Sequence, residues 1–205
     1  MSLPQITVEA RKGASADIAL RIETSVKKFV AISAMTNTAP MQVTATAHNV
    51  PDQWAVAIID ATGLTELNAV DPNDIQDDEF HEVTVIDADT LEFNGLSAAS
   101  FGVYATSGHI VYFLPLDLSV YTGARMDIKR KVGGTVELAL DTASGTLDID
   151  APANTLFIRL GDTALDTLSV REYVFDIELI RSSGVDAICS ADSVFEVLPE
   201  ITTSP

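Results

Sequence analysis

The sequence predicts an all-β chain, a β-sandwich with a small β-barrel inserted into one of its loops. Apolar residues recur at alternate positions in short runs. Those runs are bounded by Gly, Ser, Asn and Asp and follow one another about every ten residues. Helical signals are confined to residues 72–80 and 162–168, each too short to hold a helix alone.

In chain order, Ile6 and Val8 alternate first. After the turn at residues 12–15, Ile18, Leu20 and Ile22 form a second run, and the two read as the opening strands of the sandwich. Beyond Phe29 to Ile32 the composition shifts to Thr, Asn, Ala and Pro, which predicts a domain boundary within residues 34–41. The chain returns to the first domain at the turn 119–123. Thereafter Met126 and Ile128, then Val136, Leu138 and Leu140, then Leu147 and Ile149, then Leu156, Ile158 and Leu160 fall on alternate positions. The strongest strand is 173–180, with Tyr173, Phe175, Ile177 and Leu179 on one face and Asp176 and Glu178 on the other, as expected of a sandwich strand with one wet face. The runs 185–190 and 193–198 complete a predicted three-strand antiparallel meander.

The expected domains are a discontinuous sandwich over 1–36 and 120–200, an inserted barrel over 41–114 and a polar tail over 201–205. An insert needs neighbouring ends. Pairing of residues 43–47 with 109–113 as antiparallel strands is expected to supply them.

Composition excludes several functions. A net charge of −18 repels phosphate backbones and anionic lipid surfaces, so no direct nucleic-acid or membrane partner is expected. The uncharged stretches 29–51 and 95–116 are broken by hydroxyl, amide, Gly and Pro residues and read as half-buried strands. The opening residues lack the basic and apolar pattern of a cleaved signal. The single Cys189 lies in an alternating run, as a buried structural thiol would.

Five segments in order, His48-Asn-Val-Pro, Thr62-Gly-Leu-Thr-Glu-Leu-Asn68, His81 to Leu91, Phe93-Asn-Gly95 and Phe101 to Gly108, resemble a small barrel module. The module is the first-catalytic-cysteine-half-domain-like family, named after ubiquitin-activating enzymes and found in bacteriophage structural proteins. Locally, Gly63 suits a positive-φ turn, Leu64 and Leu67 face the core, and Asp87 and Asp89 cap their own turn. Asn49 stands where the family has Gly and tolerates the same left-handed backbone. The flanks, residues 163–168 running into Arg171 to Glu178 and the closing 193–198, resemble the immunoglobulin-like N-terminal domain of phage upper baseplate proteins, with Glu172 where that family has Gly. Together the resemblances imply a virion component assembled in a bacterial cytoplasm, and no ubiquitin chemistry.

Candidate chemistry is sparse. The acidic run 71–79 gathers the oxygens a calcium ion needs but lacks the central Gly of an EF-hand loop, and reads as a solvated loop. His48, His81 and His109 lack zinc-ligand spacing. No Gly-x-Ser-x-Gly elbow is present, and Val132-Gly-Gly134 and Gly145-Thr-Leu147 lack the Gly-Lys-Ser/Thr ending of a phosphate loop. Trp54 opens an apolar run and reads as core. If exposed, Trp54, Tyr104 and Tyr112 would form a ring-stacking interaction surface. The expectation is a non-enzymatic phage or prophage tail or baseplate adaptor, without cofactor or metal, that contacts other virion proteins and forms a homo-oligomer, its sandwich docking to the virion core and its barrel projecting to another subunit. A capsid decoration or head-fibre protein, a host-glycan binding module and an unrecognised hydrolase are the alternatives.

Overall fold

Period-2 alternation becomes sixteen strands in the computed structural model, which describes residues 4–200. In chain order these are β1 Thr7–Arg11, β2 Ala16–Arg21, β3 Glu23–Ala31, β4 Ala34–Met35, β5 Met41–Thr44, β6 Trp54–Ile59, β7 His81–Val85, β8 Thr90–Phe93 and β9 His109–Pro115. They continue as β10 Gly123–Lys129, β11 Val136–Asp141, β12 Leu147–Asp150, β13 Thr155–Leu160, β14 Arg171–Arg181, β15 Gly184–Ala187 and β16 Ser193–Leu198. One short helix, α1 Asp162–Asp166, lies between β13 and β14. The chain is all-β, and it divides into two units, residues 1–22 with 116–205 and residues 23–115. The polar tail expected at 201–205 lies outside the described residues.

The first unit is a two-sheet sandwich. One sheet runs β1-β16-β14-β10-β11, with β15 also on β14, and the other runs β12-β13-β2. The inner faces meet in one core. Tyr173, Phe175, Ile177 and Leu179 of β14, with Met126, Ile128, Phe195 and Val197, pack against Leu147, Leu156, Ile158 and Leu160. The two opening strands do belong here, but they pair with opposite sheets, β1 parallel to β16 and β2 antiparallel to β13. The expected closing meander is absent. β15 and β16 both pair with β14, at its C-terminal and N-terminal ends respectively, so the chain after β14 returns along one edge in two pieces.

A second departure concerns Val136. The register between β10 and β11 shifts after Ile128↔Leu138, so that Lys129 faces Val136 and Glu137 is the extra residue. Such a bulge reverses which face the following side chain takes. Val136 therefore leaves the core row of Leu138 and Leu140 and stands 46% exposed.

Tyr173 fixes the corner where α1 leads into β14. Its hydroxyl accepts a hydrogen bond from the Ser169 backbone N–H at 2.8 Å and reaches the Ser169 carbonyl at 3.2 Å. This bond to the backbone four residues upstream is a tyrosine corner, a device of immunoglobulin-type sandwiches. Tyr173→Phe leaves the Ser169 N–H without its partner and is expected to cost about 1–3 kcal/mol. A urea midpoint, followed by far-UV circular dichroism, that matches the parent would contradict this.

The second unit is a single curled sheet in the order β3-β9-β6-β7-β8-β5-β4. Its two end strands are one stretch of chain. The Ile32 N–H bonds to the Gly108 carbonyl beside β9 at 3.0 Å, and the next amide, Ser33, bonds to the carbonyl of Thr44, the last residue of β5, at 2.8 Å. The path thus begins and ends on the same segment, and the sheet closes into a barrel. Met41, Val43, Trp54, Val56, Ile58, Leu91, Phe93, Ile110 and Tyr112 fill it.

Closure differs from the sequence expectation. β5 pairs with β8 and β4 rather than with β9, and β9 lies between β6 and β3, with Lys27 opposite Phe113 and Ala31 opposite His109. The division of the chain accordingly falls between Ile22 and Glu23 rather than within 34–41, because residues 23–31 form a wall of the barrel.

Strand β6 is buried on both faces. Trp54, Val56 and Ile58 point into the barrel, whereas Ala57 and Ile59 lie under Ala69, Ile75 and Phe80 of the segment that wraps the outside. Double burial is why residues 54–59 read as a continuous apolar run rather than an alternating one.

Candidate functional site

Aromatic side chains are the first candidates, and the structure places them differently from a stacking surface. Trp54 is 1% exposed, with its indole N–H donating to the Phe113 carbonyl at 2.8 Å. Tyr112 is fully buried, and its hydroxyl donates to the His48 carbonyl at 2.8 Å. Tyr104 is half-buried, with its hydroxyl within 3.0 Å of the Ile32 and Ser107 carbonyls. Trp54 and Tyr112 thus present no face to a glycan, because each ring fills the barrel and each polar tip donates to a backbone carbonyl.

The segments that carry the barrel resemblance prove to be its joints. His48 is buried. Its Nδ1 accepts from the Val50 N–H at 3.0 Å, and its Nε2 donates to the Asp87 carbonyl at 3.0 Å, so both ring nitrogens are used by the fold in the neutral form. Asp87 caps its own turn by accepting from the Asp89 N–H, while Asp89 reaches across to the Ala47 N–H at 2.7 Å. In the 62–68 motif, Glu66 accepts from the Gly102 N–H at 2.7 Å and Asn68 brackets the N–H and carbonyl of Ala61. Gly63 lies at φ +85° and Asn49 at φ +52°, the left-handed backbone expected of both.

The acidic segment 71–79 also serves itself. Glu79 accepts from the Val70 and Gln76 N–H groups at 2.6 and 2.7 Å. Among the described residues no group of three or more His, Cys, Asp or Glu is placed to hold a metal ion. Cys189 is buried, and that burial raises its thiol above the ordinary range.

Backbone hydrogen bonds lower the carboxyl pKa of Glu66, Glu79, Asp87 and Asp141, and the Ser119 hydroxyl and N–H lower that of Asp117. A group lowered on folding adds stability above its ordinary value and loses it as pH falls through the folded value. Glu23, raised by desolvation and then by the charge of Asp77, opposes the trend. Stability is therefore expected to fall as pH drops below the ordinary values of 4.5 for Glu and 3.8 for Asp. A urea midpoint at pH 3 equal to or above that at pH 6 would contradict this.

What remains on the surface is the outer face of the six-stranded sheet, a feature that local sequence patterns do not show because it arises from register across five strands. One row runs Val136, Lys129, Val174, Val194, Thr7. Two residues along in one direction Asp127 faces Asp176, and two residues along in the other Glu172, Glu196 and Glu9 stand in line. A cleft of about 60 Å³, lined by Asp127, Lys129, Val132, Val174 and Asp176 among others, opens onto this face. Lys129 pairs with Asp127 at 3.1 Å and is held well charged by that contact. The sequence alternation made the carboxylates of β14 visible as a wet face, but it set Val136 in one row with Leu138 and Leu140.

No family model matches the chain and no curated protein matches it, so the functional reading rests on the residues quoted above and on this geometry.

Proposed function

We propose that the chain is a non-enzymatic structural protein of a bacteriophage or prophage virion, a tail or baseplate adaptor that works through protein–protein contacts. The observation that carries the reading is the ordered set of five barrel segments from His48 to Gly108, of the kind that recurs in phage structural proteins. Within them His48, Glu66 and Asn68 bond one barrel segment to another, and Asn49 and Gly63 supply left-handed turns. The tyrosine corner at Tyr173 adds support for the immunoglobulin-like flank. The non-enzymatic part of the reading is supported by where reactive groups lie, with the one thiol buried and His48 bonded at both nitrogens. Other virion proteins are its partners, with copies arranged around a virion axis.

Deletion of the gene from the source phage tests this. Full heads with incomplete or non-adsorbing tails, restored by supplying the chain from a plasmid, is the expected outcome. Complete, infective particles would overturn the reading. A defect confined to heads would replace it with capsid decoration.

A further inference from the structure

We propose that the outer face of the six-stranded sheet docks a basic amphipathic helix of another protein, with an aliphatic stripe on the valine row and lysine or arginine on either side. This deepens the adaptor reading and rests on it for the existence of a protein partner.

The carboxylates stand on either side of the row that holds Val174 and Val194. Val174 and Val194 are half-buried neighbours in the middle of the row, and Lys129, its ammonium held by Asp127, leaves its aliphatic stem between Val174 and Val136, which is 46% exposed, with Val132, 63% exposed, lining the cleft beside them, so a short apolar stretch crosses a face whose flanks are acidic. Same-face rows two residues apart on a strand lie about 6.8 Å apart, which separates the Asp127–Asp176 row from the glutamate row by about 13–14 Å. A helix with its side chains is about 10–12 Å across. A helix seated along the valine row therefore brings its flanking side chains over both acidic rows. Along the row the strands stand about 4.8 Å apart. One helical turn is about 5.4 Å, so successive turns meet successive strands.

Charge selects the same partner. Glu172 faces Glu196 and Glu196 faces Glu9 with no ion pair on any of them among the described residues, whereas Arg125, Lys129 and Arg130 on neighbouring positions are each paired. Like charges directly opposite one another oppose pairing, and a partner's cations remove that cost. A net charge of −18 argues against a second copy on this face and against a nucleic acid.

The test uses the full chain, labelled with ¹⁵N, and two synthetic 18-residue helices that share a leucine stripe, one with lysine flanks and one with glutamate flanks. The lysine peptide is expected to shift amides in β1, β10, β14 and β16, and the glutamate peptide none. Replacing the glutamate row (Glu9→Gln, Glu172→Gln, Glu196→Gln) leaves the outer face intact in shape and is expected to weaken binding about tenfold. Unchanged affinity in that variant would overturn the proposal. So would equal binding of both peptides, or shifts centred on the barrel, which carries 13 carboxylates against two lysines. Shifts produced by calcium alone at the glutamate row, with no response to the lysine peptide, would replace the helix with a cation. The deletion phenotype stands apart from all of these, so loss of the docking surface and loss of the adaptor role are separately visible.

Discussion

Trp54→Ala is expected to destabilise the barrel by about 3–5 kcal/mol, the range for emptying a buried large aromatic position. Trp54 is among the largest fully buried side chains, and it shares one core with Met41 and Val43 of β5, Leu91 and Phe93 of β8 and Ile110 and Tyr112 of β9, strands from around the barrel. Those strands cannot all move inward to fill the space, because the sheet is closed through Ile32 and Ser33. The change also strips the Phe113 carbonyl of its indole donor. Trp54 is the only tryptophan, so its fluorescence reports the parent's barrel. The variant is followed by near-UV and far-UV circular dichroism in urea. A loss below about 1 kcal/mol would mean that the ring is not packed as described.

Gly63→Ala is expected to cost about 2–5 kcal/mol through two separable effects. The backbone at φ +85° is left-handed, which an alanine adopts only under strain. An added Cβ would also collide with the Val103 carbonyl oxygen and lie 2.7 Å from the Ala105 nitrogen, which donates to the Thr62 carbonyl. Gly95→Ala isolates the first effect. Its φ is +69° and nothing lies within 4 Å of the Cβ position, so its cost is expected to stay near 1–2 kcal/mol. Trp54 fluorescence against urea reads both variants. Equal midpoints for the two would remove the contact between residues 63 and 103 from the account.

The contrast between those glycines shows what is legible in a sequence. A positive-φ turn at Gly63 follows from residue type, whereas the backbone pressed against it comes from forty residues away. Strand β14 was legible throughout because alternation over eight residues needs no partner to interpret it. Strand β3 was not, since Glu23 to Lys28 is polar and only the register with β9 assigns it to the barrel. The parallel pairing of β1 with β16 likewise joins opposite ends of the described chain.

The candidate sites follow the same division. Trp54 and Tyr112 were visible as aromatic residues, and Trp54 was correctly legible as core because its run is apolar on both faces. Their combination with Tyr104 into a surface needed an exposure that barrel closure denies. The in-register glutamates at positions 9, 172 and 196 are far apart in sequence and become neighbours only through two strand pairings, one parallel and one antiparallel. Val136 joins the valine row because of a one-residue bulge, which reverses a reading that strict alternation makes natural.

Quantitative mass spectrometry of gradient-purified particles from the source phage, with heads and tails separated, decides whether the chain is a tail component. This chain is expected in the tail fraction at a fixed, multiple copy number relative to a baseplate component. Its absence from both purified heads and purified tails would contradict a virion role altogether.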